Sequence, residues 1–274
     1  MDESRYAYHM DEPVASPPRR VVSLAPGVTE SLFELNLAGP LIAVTAQCVY
    51  PEEGTARLAK IGDATSPNIH EIVELGPDLV IANTDENRRE DIEALQDAGL
   101  TVWVTSPKTV RDVFNMLWNL MHVFDEPSMV ERVRSIEWVA DWLERMSAAR
   151  DTPCRVFAAT AYDPLMTFND DTYAGDLLRV CGGANVFAGR EARYFEVTLD
   201  EVVAAQPDVV LLPDAPADIA GAQLRRFSTL DIPAARNGRV SLVDHTWLTW
   251  HGTRVARVLS SLPDLLCPQE TISL

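Results

Sequence analysis

Short apolar runs alternate with amphipathic stretches along most of this chain, and that alternation sets out the elements. Arg20-Val-Val-Ser-Leu-Ala reads as a buried strand, and the Pro26-Gly27 behind it turns the chain sharply. Thr29 and Glu30 open an amphipathic helix to about Leu37, ended by Gly39-Pro40. A strand at Leu41–Thr45, a loop holding Cys48, Tyr50 and Pro51, and a further loop at Gly62–Pro67 follow. Then come a helix at Asn68–Leu75, a strand at Asp78–Ala82, a helix at Arg88–Ala98 and a strand at Thr101–Val104. This order predicts a parallel, doubly wound sheet.

Thr109–Arg150 breaks the rhythm. It lacks glycine, and Val113, Leu117, Leu120 and Val123, then Val130, Val133, Ile136, Val139, Leu143 and Met146, recur at helical spacing. Asp125-Glu126-Pro127 divides it into two helices, the second from about Ser128 to Ala149 and ~30 Å long. Such a helix is a stiff strut rather than a flexible linker. After Pro153 the alternation resumes. Strands are expected at Arg155–Thr160, Val209–Pro213 and Arg239–Val243, and helices at Tyr173–Val180, Thr198–Ala205 and Ala217–Phe227. A last helix starts at Trp250 or Thr253 and runs to Leu262.

The segment Asn68–Ile81 lies over Thr198–Leu211 without a gap. Both copies start at a helix N-cap residue, carry glutamate three positions on, bend at Pro-Asp and enter an apolar strand. Two lobes of one architecture explain the repeat, and a cleft between paired lobes suits a small ligand. Glu71 and Glu201 stand at capping-box spacing, where a carboxylate reaches back to a free backbone N–H and meets the positive end of the helix dipole.

Composition narrows the function. A formal charge of −18 repels phosphate backbones and argues against a nucleic-acid partner; a solubilising surface accounts for it. Cys48, Cys154, Cys181 and Cys267 form no CxxC pair, which argues against a structural zinc site; a Cys181–Cys267 bridge suits an exported chain. Met1–Arg20 shows no basic region followed by an apolar stretch, so no signal peptide is visible, and a cytoplasmic location stays open. GxGxxG, P-loop, HExxH and GxSxG signatures are absent, so the chain reads as no enzyme. A two-lobe enzyme acting on a nucleotide sugar or tetrapyrrole, and a cytoplasmic sensor or scavenger of the same fold, are the alternatives. Asp170-Asp171 reads as a solvated turn before a cation site.

Arg20-Val-Val-Ser-Leu-Ala-Pro…Thr29-Glu30, Tyr50-Pro51, Asn68–Ile81, Leu177-Leu-Arg-Val-Cys-Gly-Gly-Ala-Asn-Val-Phe187 and Thr198…Glu201…Pro207-Asp208 together resemble the periplasmic substrate-binding proteins of ABC importers for cobalamin, haem and ferric siderophores. The resemblance implies two doubly wound, Rossmann-like α/β lobes with mainly parallel sheets, joined by one long helix. The divisions are a leader at 1–19, an N-terminal lobe at 20–126, a connecting helix at 127–150 and a C-terminal lobe at 151–274. It also implies an extracytoplasmic, monomeric protein that captures a corrinoid or metal chelate, without a resident cofactor or metal, and passes it to an ABC transporter permease. In the cobalamin-binding members one glutamate at each lobe tip docks on the transporter; these fall on Glu71 and Glu201. The ligand wall maps to Pro26, Gly27, Tyr50, Thr65, Tyr162, Met166, Tyr194, Phe195, Asp244, Trp247, Trp250 and His251. Thr65 and Phe195 stand where those members carry tryptophan, and Met166 near an aromatic position. Tryptophan faces at 247 and 250 suit a flat macrocycle, and the His251 imidazole could ligate a metal within it.

Overall fold

The computed structural model describes residues 16–266, which fall into two compact units. The first takes the described residues up to Pro107, with Val113–Arg134 and Trp250–Arg254; the second takes Lys108–Asp112, Ser135–Thr249 and Val255 onward. The partition is discontinuous in sequence.

In chain order the first unit begins with strand β1 (Val21–Ser23), helix α1 (Pro26–Glu34), β2 (Leu41–Val44), α2 (Glu52–Thr55), β3 (Ala59–Lys60), β4 (Gly62–Asp63) and β5 (Ser66–Pro67). Helix α3 (Ile69–Leu75), β6 (Leu79–Asn83), α4 (Arg89–Asp97) and β7 (Val102–Thr105) complete its sheet region. Five strands pair in parallel in the order β3-β2-β1-β6-β7. Val22 and Leu24, Val80 and Ala82, and Val102 and Val104 point to one face and pack with Ile72, Ile92 and Leu95. Val21, Leu79 and Ile81, on the opposite face, are buried as well, as a parallel sheet covered on both sides requires. Helix α1 starts at Pro26, earlier than the Thr29 expected; proline occupies its first turn, where its missing N–H costs nothing.

Helices α5 (Val110–Val123) and α6 (Val130–Ala148) flank the expected break at Asp125–Pro127. The first turn of α6 is tied to α1 by an Arg132–Glu34 ion pair at 2.6 Å. Further along, Glu144 pairs with Arg179 at 2.8 Å, and the Ser147 hydroxyl donates to the Val180 carbonyl at 2.7 Å.

The second unit holds β8 (Cys154–Ala158), β9 (Ala161–Tyr162), β10 (Leu165–Phe168), α7 (Tyr173–Val180), β11 (Gly183–Asn185), β12 (Tyr194–Glu196), α8 (Leu199–Ala205), β13 (Val209–Pro213), α9 (Ala217–Phe227), α10 (Pro233–Arg236), β14 (Val240–Val243) and α11 (Val255–Leu266). Its main sheet is parallel, in the order β11-β8-β13-β14. Phe157 stacks on Phe227 in its core, with Val202, Val210 and Leu212 around them. A separate antiparallel sheet, β12-β10-β9, was not expected from the sequence. Helix α11 runs past the Leu262 end expected and carries Pro263 inside it. The Arg239 guanidinium donates to the Leu265 and Leu266 carbonyls at its C-terminus (3.0 and 2.8 Å). Cys181 is buried; its suggested partner Cys267 lies outside the described residues. Among the described residues no helix is long and apolar enough to cross a membrane.

The repeat is structural. Helices α3 and α8 both end on a left-handed residue, Gly76 at φ 56° and Gln206 at φ 46°. Arg20 and Arg155, each at the start of a unit's first strand, donate to the last carbonyls of these helices, Leu75 at 2.6 Å and Ala205 at 2.8 Å. Asp78 and Asp208 accept from the backbone N–H groups of the same two arginines, at 3.1 Å each. One helix-to-strand corner is thus built twice with the same side chains.

Candidate functional site

In open parallel sheets the loops beyond the carboxyl ends of the strands hold the ligand. Beyond the strand ends of the first unit lie Pro26 and Gly27, in the first turn of α1 rather than in a loop, Tyr50 after β2 and Asn83–Asn87 at and beyond the end of β6. The segment Trp250–Arg254 joins them from far along the chain.

Its anchor is Arg254. The side chain is 2% exposed and meets Glu30, itself 4% exposed, through Nε at 2.7 Å and Nη2 at 2.8 Å. Two parallel charge-assisted bonds of this kind fix orientation as well as distance. The guanidinium carbon also lies 4.8 Å from the Tyr50 ring centre and 5.1 Å from that of Trp250, and the two rings meet edge to face at 5.8 Å. A buried ion pair therefore braces two aromatic rings that are 200 positions apart in sequence, and Tyr50 keeps 43% of its surface exposed.

Gly27 packs against this segment rather than standing open. A Cβ there would sit 2.2 Å from the His251 carbonyl oxygen. Gly252, at φ 127°, would likewise drive a Cβ to within 2.1 Å of Ser31 Oγ. Ser31 Oγ accepts from the Thr253 N–H at 3.0 Å and donates to the Gly27 carbonyl at 2.7 Å. His251 is buried, with Nδ1 at 3.3 Å from the Asn83 amide nitrogen. With Nδ1 accepting from that amide, the neutral ring carries its proton on Nε2. The Asn83 amide also donates to Thr105 Oγ1 at 3.1 Å, so His251 is held in place by the ends of β6 and β7. Thr65 is exposed on the turn joining β4 to β5.

Beside this edge lies Glu86. Its Oε2 is buried without a hydrogen-bond partner, and burial, then the Asp85 charge, pushes its carboxyl up to about 8. Cys48, buried against Thr29 and Thr45 hydroxyls at 3.2 Å each, is raised by burial first and by the Glu86 charge to a smaller extent.

In the second unit, β10 and β12 place Thr167 opposite Phe195, Phe168 opposite Tyr194 and Met166 opposite Glu196. Tyr162, Met166, Tyr194 and Phe195 are all part-buried on this small sheet. Phe195 packs edge to face on Phe187 at 6.1 Å, and the Arg190 guanidinium lies 5.6 Å from its ring centre. The Tyr162 hydroxyl donates to the Pro213 carbonyl, and burial, then the Asp214 charge, pushes it up to about 12. Asp244 follows β14 and accepts from the Thr246 N–H at 2.9 Å; Trp247 is part-buried on the same turn. A cavity of about 250 Å³ elsewhere in this unit, bordered by Glu144, Asp170 and Arg179, contains none of the expected wall residues. Asp171 is ion-paired to Lys108 at 2.9 Å and lowered by it, in keeping with a turn.

The two repeat glutamates differ in detail. Glu201 forms the full capping box: its Oε2 accepts from the Thr198 N–H at 2.9 Å, and its own N–H donates to Thr198 Oγ1 at 3.3 Å. It also pairs with Arg190, and the Thr198 N–H, then Arg190, hold its carboxyl below the usual range. Glu71 donates its N–H to Asn68 Oδ1 at 3.2 Å, but its carboxylate takes the Asn68 amide at 3.1 Å. The Asn68 N–H goes instead to the Ile61 carbonyl at 2.8 Å, so the backbone half of the box is missing there.

Residues 21–245 match the model of the periplasmic binding protein family, and the chain belongs to that family, one of binding proteins. It is 28% identical over 239 residues to the vitamin B12-binding protein of Vibrio parahaemolyticus, covering 85% of this chain and 83% of that one. The crystal structure of the periplasmic vitamin B12 binding protein BtuF of Vibrio cholerae superposes with a TM-score of 0.81 at 25% identity, covering 91% and 97% of the two chains. The apo haem-binding protein RhuT of Roseiflexus sp. RS-1 shares the fold, with a TM-score of 0.73 at 22% identity and coverage of 92% and 98%.

Proposed function

We propose that this chain captures a corrinoid of the vitamin B12 class, reversibly and without chemistry, and delivers it to an ABC importer. The observation that carries this reading is the Tyr50–Trp250 pair at the strand ends of the first unit, braced by Arg254 on buried Glu30. An aromatic edge held by a fully paired cation is already ordered before a large, flat ligand arrives, so little side-chain freedom is lost on binding. The similarity to vitamin B12-binding relatives supports a corrinoid as the ligand class. In this reading Tyr162, Met166, Tyr194, Phe195, Asp244 and Trp247 are the candidate ligand contacts on the second unit, and Thr65 is one on the first.

Glu71 and Glu201 are the docking carboxylates toward the permease in this reading. Capping leaves the Glu71 carboxylate exposed, whereas Arg190 must yield Glu201 on docking. The 20–126, 127–150 and 151–274 organisation, except that Trp250–Arg254 packs with the first unit, and the chain being a monomer belong to the same proposal; α6 as a stiff element is supported by its uninterrupted run from Val130 to Ala148.

Calorimetric titration with cyanocobalamin, cobinamide, haemin and a ferric hydroxamate siderophore tests the proposal. One-to-one binding of the two corrinoids, weakened at least tenfold in Trp250→Ala, is the expected result. Preference for haemin or the siderophore, or no binding of any of the four, overturns the corrinoid assignment.

A further inference from the structure

The second unit carries a cluster of which the proposed ligand wall uses only Asp244. Strands β13 and β14 are parallel neighbours, with Pro213 in register with Val243, so the residues just beyond them, Asp214, Asp244 and His245, emerge side by side. One ligand-type atom from each of the three lies within 4.8 Å of the others. His245 Nδ1 is 3.1 Å from Asp214 Oδ1 and 3.8 Å from Asp244 Oδ1.

These spacings can be compared with what an ion demands. Bonds of ~2.1 Å to nitrogen and oxygen put neighbouring donors ~3.0 Å apart in an octahedron and ~3.4 Å apart in a tetrahedron; the two imidazole–carboxylate distances, 3.1 and 3.8 Å, bracket the tetrahedral spacing, and the shorter is close to the octahedral one. The donors are also set from the backbone. The His245 N–H donates to Asp214 Oδ1 at 3.0 Å, and Asp244 Oδ1 takes the N–H of Thr246, a fully buried residue. Outer contacts of this kind orient ligands before the ion arrives. The side chains of Asp214, Asp244 and His245 remain 50%, 37% and 48% exposed, so the open side is left to solvent or to further ligands. A purely carboxylate cluster would favour hard ions such as Mg²⁺; one imidazole nitrogen among two carboxylates shifts preference to borderline transition ions.

We infer that Asp214, Asp244 and His245 form a binding site for one divalent transition-metal ion of the Zn²⁺, Co²⁺ or Ni²⁺ class. It is an open three-donor site at the carboxyl ends of β13 and β14. The Asp214 carboxylate then exchanges its bond to the imidazole for a bond to the ion, and His245 presents Nδ1 as a neutral ligand.

The test uses the full chain and no corrinoid, so its outcome is separate from that of the proposed function. Zn²⁺ is titrated calorimetrically in buffer holding excess Mg²⁺, a competitor for carboxylate-only sites, and Co²⁺ is followed by visible absorption. The expected result is one ion per chain, weakened at least tenfold in His245→Ala and in Asp214→Asn. Both side chains are about half exposed, so the variants are expected to keep the wild-type melting temperature, which is measured alongside. Ion uptake that is not saturable at one per chain, that Mg²⁺ abolishes, or that changes less than threefold in His245→Ala overturns the assignment.

Discussion

Replacing Arg254 by methionine probes the best-defined interaction in the chain. The change removes a guanidinium that is 2% exposed and leaves Glu30, 4% exposed, without its bidentate partner. Breaking one side of a buried pair costs about 3–5 kcal/mol, because the remaining charge stays desolvated. Loss of the two ring contacts at 4.8 and 5.1 Å adds about 0.5–2 kcal/mol, and the methionine stem recovers part of it by packing. The net expectation is about 4 kcal/mol, or a fall in melting temperature on the order of 10 °C. Urea unfolding followed by circular dichroism measures it, with Glu30→Gln and the double variant completing a cycle. Because the double variant has no stranded charge, it is expected to regain at least about 2 kcal/mol over the sum of the single losses. A loss below about 1 kcal/mol in Arg254→Met, or strict additivity in the cycle, would refute the bracing role.

Glu86 gives a pH signature. Its carboxyl is raised from 4.5 to about 8, so the folded chain holds a proton there that the unfolded chain releases. Its contribution to stability is complete below about pH 4.5 and is lost as pH rises toward 8, at about 1.4 kcal/mol per pH unit. Glu86→Gln should flatten that slope, and parallel wild-type and variant profiles of urea midpoint between pH 5.5 and 8 would show the carboxyl to be ordinary. Gly27→Ala forces a Cβ to 2.2 Å from a backbone oxygen; a loss of about 3 kcal/mol or more is expected, read by thermal melting, and a neutral result would mean that the Trp250–Arg254 segment shifts freely. Thr198→Ala removes the α8 cap and should cost about 1 kcal/mol, while Gly76→Ala should cost about as much through its left-handed φ of 56°; chemical denaturation of each variant checks both.

The parallel sheets were legible because both faces of strands such as Leu79–Asn83 are buried, which produces unbroken apolar runs. The break at Asp125–Pro127 and the doubled corner were legible for the same local reason, a breaker or cap at fixed spacing. The β12-β10-β9 sheet was not, because strands two to four residues long leave no period to read. The resemblance named Tyr50 and Trp250 for the wall, but not the groups that hold them. Arg254 stands in Thr253-Arg-Val-Ala-Arg257, where nothing local separates the buried arginine from the exposed Arg257. Glu30 reads as the opening of a helix, yet α1 is buried from Pro26 to Leu32; the polar Thr29 and Ser31 on either side of it hide that burial in the sequence. Asn83 gave no local signal, as its partner His251 lies 168 positions away.

The ion pair that closes the first unit links positions 224 residues apart, and this bears on how the molecule is made. A chain leaving the ribosome has the whole first sheet in hand once Thr105 emerges, but not the guanidinium that Glu30 needs. Until Arg254 is synthesised, that carboxylate must stay hydrated, and Gly27 and Ser31 lack the backbone that covers them. A contact of such long sequence separation can form only once the intervening chain is closed, so the Tyr50–Trp250 edge of the first unit is completed only after Arg254 is made. Nascent chains stalled before residue 250 should therefore present the first sheet without the Tyr50–Trp250 pair.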